Sequence, residues 1–199
     1  MSLVTKTAPD FTKAAVMPDG SINENFNLHT YIKGKNAVVF FYPLDFTFVC
    51  PSEIIAHAKR AGEFAKRNTV VIGVSIDSQF THHAWRNTPV EKGGLGAIEI
   101  PLVADIGGDV MQAYGVEHPG KVALRGSFLI DKNGVVRHEV INDLPLGRDV
   151  DEMLRMVDAL LFHEEHGEVC PAGWRPGKAG MKADAAGVAA YLKDHAKEL

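Results

Sequence analysis

The segment Ala37-Val38-Val39-Phe40-Phe41-Tyr42 is aliphatic or aromatic at every position. A short run of that kind, rich in β-branched and aromatic side chains, fits a strand covered on both faces. Pro43 ends it. Residues 69–76 (TVVIGVSI) read as a second buried strand and Leu102-Val103-Ala104 as a short third. Between them, over residues 51–67, Ile54, Ile55, Ala58, Phe64 and Ala65 recur at mixed three- and four-residue steps, which favours an amphipathic helix. Further helices are expected over 81–90, over 149–163 with Leu154, Val157, Leu160 and Leu161 on one face, and over 184–197. Residues 122–130 and 135–141 flank Asp131-Lys132-Asn133-Gly134, whose Asn-Gly pair is the strongest hairpin signal in the chain. Strands alternating with helices, then a hairpin, imply an α/β sandwich with a mixed β-sheet.

After His166 the character changes. Gly167, Pro171, Gly173, Pro176, Gly177 and Gly180 punctuate fourteen residues, so an arm is expected here. The domain organisation expected is a core over 1–166 and a C-terminal arm and helix over 167–199. Lys plus Arg number 21 against 25 Asp plus Glu, a net charge of −4, and the pI is near 6.1. That balance argues against nucleic acid or an anionic membrane as partner, since either needs a basic face. The longest apolar run, residues 37–44, falls far short of the roughly 20 residues that span a bilayer. The first residues, MSLVTK, carry no signal-peptide pattern, so the expected address is the cytoplasm.

Two cysteines, Cys50 and Cys170, are too few for a disulfide framework and form no C-x-x-C pair. In a reducing compartment such cysteines are usually buried and inert, so their neighbours decide the matter. Cys50 lies in PLDFTFVCPSE (residues 43–53), which joins the first buried strand to the first helix. Pro51 suits the first helical position, which puts Cys50 at the N-cap. Unpaired backbone N–H groups and the helix dipole then favour the thiolate, a nucleophile at neutral pH. Thr47, three residues earlier, can set a hydroxyl beside the sulfur. Glu53 opposes this, because a first-turn carboxylate disfavours a neighbouring thiolate. The site therefore calls for a cation, and Arg125, Arg148 and His57 are the candidates.

With these residues in view, FFYPLDFTFVCPSEI (40–54) resembles the active-site signature of the peroxiredoxins, and GEVCPAGW (167–174) the second-cysteine segment of their typical two-cysteine class. The likeness extends through VSIDSQFTHHAW (74–85), GGLG (93–96), LRGSFLID (124–131) and DLPLGRDVDEML (143–154). The resemblance implies a thioredoxin-like fold, with a central mixed sheet flanked by helices, and an antiparallel homodimer, often a decamer of five dimers. It implies that Cys50 is the peroxidatic cysteine, Thr47 orients the peroxide, Pro43 shields the pocket and Arg125 stabilises the thiolate. By the same likeness Glu53 and Arg148 pair and position Arg125, and Cys170 is the resolving cysteine, supplied by the partner subunit. The implied reaction is reduction of hydrogen peroxide or organic hydroperoxides through a Cys50 sulfenic acid and a Cys50–Cys170 disulfide, in antioxidant defence. That disulfide would be recycled by thioredoxin or a flavoprotein disulfide reductase. Such chemistry needs no metal, haem or flavin. In hyperoxidation-prone members a GGLG loop acts with a C-terminal Tyr-Phe pair, whereas this chain has GGLG and Tyr191-Leu192, so intermediate sensitivity is expected.

Other features are weaker. His163-Glu164-Glu165-His166 spaces its histidines three apart where the zincin pattern needs four, and His82-His83 lacks further ligands. Trp85 and Trp174 read as packing or interface residues, and Phe46 and Phe48 as core or interface. Two competing readings make different demands. A cysteine hydrolase would use His57 as base and leave Cys170 without a role. A chaperone ring would act independently of Cys50.

Overall fold

The computed structural model describes residues 2–198, and its chain divides into two compact units, Met1–Val150 and Asp151–Leu199. The helix that precedes the arm thus clusters with it, ahead of the boundary expected at residue 166. The first unit is built on one seven-stranded sheet, β2-β1-β5-β4-β3-β6-β7. Its strands are β1 (Thr12–Val16), β2 (Ile22–Asn27), β3 (Asn36–Phe41), β4 (Thr69–Ser75), β5 (Leu102–Ala104), β6 (Arg125–Ile130) and β7 (Val136–Asn142). β3, β4 and β5 run parallel, while β6 and β7 on one side and β1 and β2 on the other are antiparallel. The sheet is therefore mixed, as expected.

β3 explains why its sequence carries no polar alternation. Ala37, Val39 and Phe41 enter a core with Phe26, Leu28, Ile72, Val103, Tyr114 and Phe128. The alternate residues Val38, Phe40 and Tyr42 are equally buried on the opposite face, where Phe40 stacks on His57 and Tyr42 packs by Trp85. Each of the larger side chains here, taken from water, contributes about 2 kcal/mol. Gly73, opposite Phe40, has no room for a Cβ: one there would stand 2.8 Å from Leu102 Cδ2 and 3.0 Å from Phe40 Cζ.

The helices of this unit are α1 (Leu28–Tyr31), α2 (Cys50–Lys59), α3 (Ala61–Lys66), α4 (Gln79–Arg86) and α5 (Asp109–Ala113). The expected helix over 51–67 is two helices, broken at Arg60, whose ψ of 2° leaves the helical region. α4 starts earlier than expected because Ser78 caps it, accepting from Thr81 N at 3.1 Å, and it stops ahead of Pro89. The expected hairpin joins β6 and β7. Asp131 Oδ1 accepts from Asn133 N and Val135 N, and only Gly134, at φ 79°, is left-handed. The connection is thus a three-residue loop with glycine in the left-handed position, not a two-residue Asn-Gly turn.

The second unit contains α6 (Val150–His166) from its second residue on, and α7 (Ala185–His195). α6 buries Met153, Val157 and Leu160, with Leu154 and Leu161 only half-buried. α7 is capped by Asp184, which accepts from Gly187 N at 2.7 Å. No helix among the described residues is long and apolar enough to cross a membrane.

Candidate active site

The segment after β3 turns sharply before α2, and a buried polar cluster holds the turn. Asp45 accepts from the Tyr42 hydroxyl at 2.8 Å and pairs with His82 Nδ1 at 2.7 Å, while the Asp45 N–H donates to Asp77 Oδ2 at 2.9 Å. His82 Nε2 lies 3.1 Å from the Val103 carbonyl. Burial pushes the Asp45 carboxyl above its ordinary range, against the pull of His82. Next to the anchored Asp45, Phe46 takes a left-handed φ of 52°. This anchor escaped the sequence reading, although Asp45 and His82 both lie inside recognisable segments.

α2 then begins at Cys50, one residue earlier than expected, so the cysteine is the first helical residue and Pro51 the second. Val49 precedes it with no side-chain cap, and the first turn closes through Ser52 N and Glu53 N on the Val49 carbonyl, at 3.1 and 3.3 Å. Cys50 is fully buried. Among the described residues its Sγ is contacted by Thr47 Oγ1 at 3.0 Å and Arg125 Nη1 at 3.5 Å. Thr47 Oγ1 also stands 2.8 Å from the Leu44 carbonyl, so its single proton chooses between a carbonyl and the sulfur. Pro43 is buried at the entrance to the same turn.

The charges around the sulfur close into a ring of hydrogen bonds. Arg125 donates through Nη1 to Glu53 Oε2 at 2.6 Å and through Nε to the Leu144 carbonyl at 2.6 Å. Arg148 grips Glu53 with Nε on Oε1 at 2.8 Å, Nη2 on Oε2 at 2.9 Å and its backbone N on Oε1 at 2.8 Å. Its remaining Nη1 donates to the Gly126 carbonyl, and its guanidinium lies 5.4 Å from the Phe40 ring centroid. Burial alone would raise the Glu53 carboxyl; the hydrogen bonds and charge of Arg148, with the charge of Arg125, outweigh it and hold the group below its ordinary range. Two guanidiniums against one carboxylate leave one buried positive charge beside the Cys50 sulfur. Glu53, expected to disfavour a thiolate at Cys50, thus has both oxygens taken by arginines.

His57 is not the cation the sulfur needs. Its Nδ1 lies 2.7 Å from the Glu53 carbonyl, its ring stacks on Phe40 at 4.1 Å, and burial together with the Arg148 charge lowers its pKa to about 4. It is neutral at pH 7 and so supplies no positive charge, and with Nδ1 engaged by the Glu53 carbonyl and so low a pKa it is also a weak base for the hydrolase reading. Trp85 is a packing residue: its Nε1 donates to the Gly93 carbonyl at 2.8 Å and ties down the 93–96 loop. Gly94 in that loop presses on the Thr88 backbone, and Leu95 is buried, so the loop is docked on the protein. Phe46 and Phe48 are exposed, which excludes a role in the core of this chain.

Cys170 belongs to the second unit. It is half-buried and unbridged, with its thiol 3.5 Å from the Ala159 carbonyl. His163 Nδ1 contacts the Glu168 carbonyl, and no group of three His, Cys, Asp or Glu among the described residues converges on a metal position.

Comparison with known proteins agrees with this geometry. The AhpC/TSA family matches residues 4–139 and the C-terminal domain of 1-Cys peroxiredoxin matches residues 159–194. Alkyl hydroperoxide reductase C of Helicobacter pylori is 58% identical over 197 residues, covering 99% of this chain and 100% of that protein. Peroxiredoxin-1 of Gallus gallus is 55% identical over 185 residues, 92% of each. The reduced 2-Cys peroxiredoxin of Plasmodium vivax superposes with a TM-score of 0.93 at 48% identity, over 97% of this chain and 100% of that one. A Plasmodium yoelii peroxiredoxin modified at its N-terminus, which forms an artifactual octamer, superposes at 0.76 with 49% identity over 85% and 97%. A buried cysteine, thioredoxin-like sheet and relatives of this similarity lead to one conclusion: the chain belongs to the AhpC/TSA family of peroxiredoxins, the thiol peroxidases.

Proposed function

We propose that Cys50 is the peroxidatic nucleophile, that Thr47, Arg125 and Pro43 form its pocket, that Glu53 and Arg148 position Arg125, and that Cys170 resolves the oxidised product. The observation that carries this reading is convergence: a hydroxyl at 3.0 Å and a guanidinium at 3.5 Å meet on one buried sulfur. The Cys50 thiolate attacks the terminal peroxide oxygen, an S–O bond forms and the O–O bond breaks. Hydroxide or alkoxide leaves and takes up a proton. Thr47 and Arg125 face the charge that develops on the two oxygens, the logic of an oxyanion hole. The Cys170 thiol then condenses with the Cys50 sulfenic acid, forming a disulfide and releasing water.

Hydrogen peroxide and organic hydroperoxides are the substrates, and thioredoxin or a flavoprotein disulfide reductase returns the disulfide to thiols. The work is placed in a reducing cytoplasm, where two cysteines outside any disulfide framework rest as thiols. The protein assembles as a homodimer, Cys50 of one protomer bridging to Cys170 of its partner, with five dimers in a ring; the octamer-forming relative supports self-association of this fold. Functionally the chain divides into a peroxidatic segment, 1–166, and an arm, 167–199.

A disulfide needs Cα atoms within about 7 Å, and Cys50 is buried in a helical turn. The first turn of α2 therefore unwinds, which its lack of a side-chain cap makes easy. A non-reducing gel of wild type, Cys50→Ser and Cys170→Ser after one equivalent of hydrogen peroxide tests the cycle. A dimer-sized band in wild type alone, reversed by dithiothreitol, is expected. Wild type left monomeric with Cys50 unoxidised would refute it.

A further inference from the structure

The C-terminal unit contains an arginine that the reaction above does not use. Arg155, Ala159 and Phe162 follow one another along a single stripe of α6. Arg155 Nη1 donates to the Trp174 carbonyl at 2.7 Å, while its Nε and Nη2 are held by the Glu152 carboxylate at 2.7 Å each. One turn further, the Cys170 thiol meets the Ala159 carbonyl, and beyond it the Phe162 ring packs on the Trp174 indole with centroids 4.8 Å apart. The turn is closed on itself as well, by Trp174 N on the Pro171 carbonyl and Trp174 Nε1 on the Lys178 carbonyl. The second cysteine thus sits in a compact turn laid along α6, and Arg155 is its charged fastening.

We propose that Arg155 is a positioning residue for the Cys170 step: it latches the Cys170–Trp174 turn to α6 in the thiol form, and release of this latch sets how fast Cys170 reaches the sulfenic acid. The proposal rests on the reading of Cys170 as the resolving thiol. Arg155 has a second, opposite effect. Burial pushes the Cys170 thiol up and the Arg155 charge pulls it back, so the guanidinium both restrains the turn and favours its thiolate. Lysine at 155 would keep the charge and lose the planar fork, and methionine would lose both.

The test compares reduced wild type, Arg155→Lys, Arg155→Met and Glu152→Gln, the last loosening the guanidinium from its other side. Hydrogen exchange of the amides in 168–181 should quicken about tenfold in Arg155→Met, the scale of one lost charge-assisted hydrogen bond, and less in the other two. The α6 amides report in the same experiment that the unit remains folded. Disulfide formation after one equivalent of hydrogen peroxide is then timed by acid quench from pH 6 to 9. Arg155→Lys should be faster than wild type with the same pH profile, whereas the profile of Arg155→Met should move to higher pH. A purely structural role would move no profile. Unchanged exchange in all three variants, or faster exchange with no faster disulfide formation in Arg155→Lys, would overturn the latch. A disulfide that persisted in Cys170→Ser would instead overturn the resolving role, leaving the exchange result to judge the latch alone.

Discussion

Replacing Glu53 by glutamine separates two accounts of the active site that predict opposite signs. If Glu53 acts on Cys50 mainly by its charge, removing that charge should favour the thiolate and speed the reaction. If it acts by holding arginines, the reaction should slow. The geometry favours the second. Oε1 accepts from Arg148 N and Nε, and Oε2 from Arg148 Nη2 and Arg125 Nη1, so each oxygen serves two donors. A glutamine must turn its NH2 toward one of those pairs and meet two donors with a third. Breaking a buried ion pair costs about 3–5 kcal/mol, which for a chain of this size lowers Tm by about 10 °C. Arg125 keeps its bond to Leu144 and loses the one that aims Nη1 toward the sulfur. We expect the second-order rate of Cys50 oxidation to fall about 10- to 100-fold, equivalent to about 1.4–2.8 kcal/mol of transition-state stabilisation. Stopped-flow tryptophan fluorescence with substoichiometric hydrogen peroxide measures that rate, and thermal unfolding measures the stability. The pH dependence carries a further sign. Because the Glu53 carboxyl is held low when folded, its stabilisation is complete above the ordinary carboxylate range and is lost as pH falls through the folded value. Wild type and Glu53→Gln should therefore converge in stability toward acid pH. A variant that folds normally and reacts as fast as wild type, or faster, would refute the positioning argument.

Thr47→Val keeps the shape and removes the hydroxyl at 3.0 Å from the sulfur; the peroxide rate should fall about 100-fold, with Thr47→Ser close to wild type in the same stopped-flow assay. His82→Leu strands the buried Asp45 carboxylate and should cost about 3–5 kcal/mol at pH 7 by urea unfolding. Asp45 already binds its proton more readily than an ordinary carboxyl, so protonation relieves this deficit, and it should shrink from pH 7 to pH 5; a constant deficit would exclude the stranded charge. Gly73→Ala forces a methyl against Leu102 and Phe40 and should lose about 1–3 kcal/mol by urea unfolding.

How far the sequence discloses this protein depends on whether a residue's partner lies nearby along the chain. β3, β4 and β5 are legible because burial on both faces writes itself as unbroken apolar runs. β2 is not: at the sheet edge it exposes half of its side chains and buries only Phe26, so INENFN reads as a polar loop. α1 and α5 are too short for helical periodicity, and the Asp105 carboxylate that caps α5 lies outside the helix it serves. The site divides the same way. Thr47 and Cys50 are three residues apart, and the chemistry between them follows from their spacing. Arg125, Arg148 and His57 were equal candidates for the missing cation, because 75 residues separate Arg125 from Cys50 and only the pairing of β3 with β6 brings them together. The resemblance singles out Arg125 where spacing has no means to choose, and in the fold Glu53 binds both arginines while Arg125 Nη1 lies 3.5 Å from the sulfur. A local motif can thus state what chemistry a cysteine is suited to, while the charge that makes the chemistry possible is a property of the sheet.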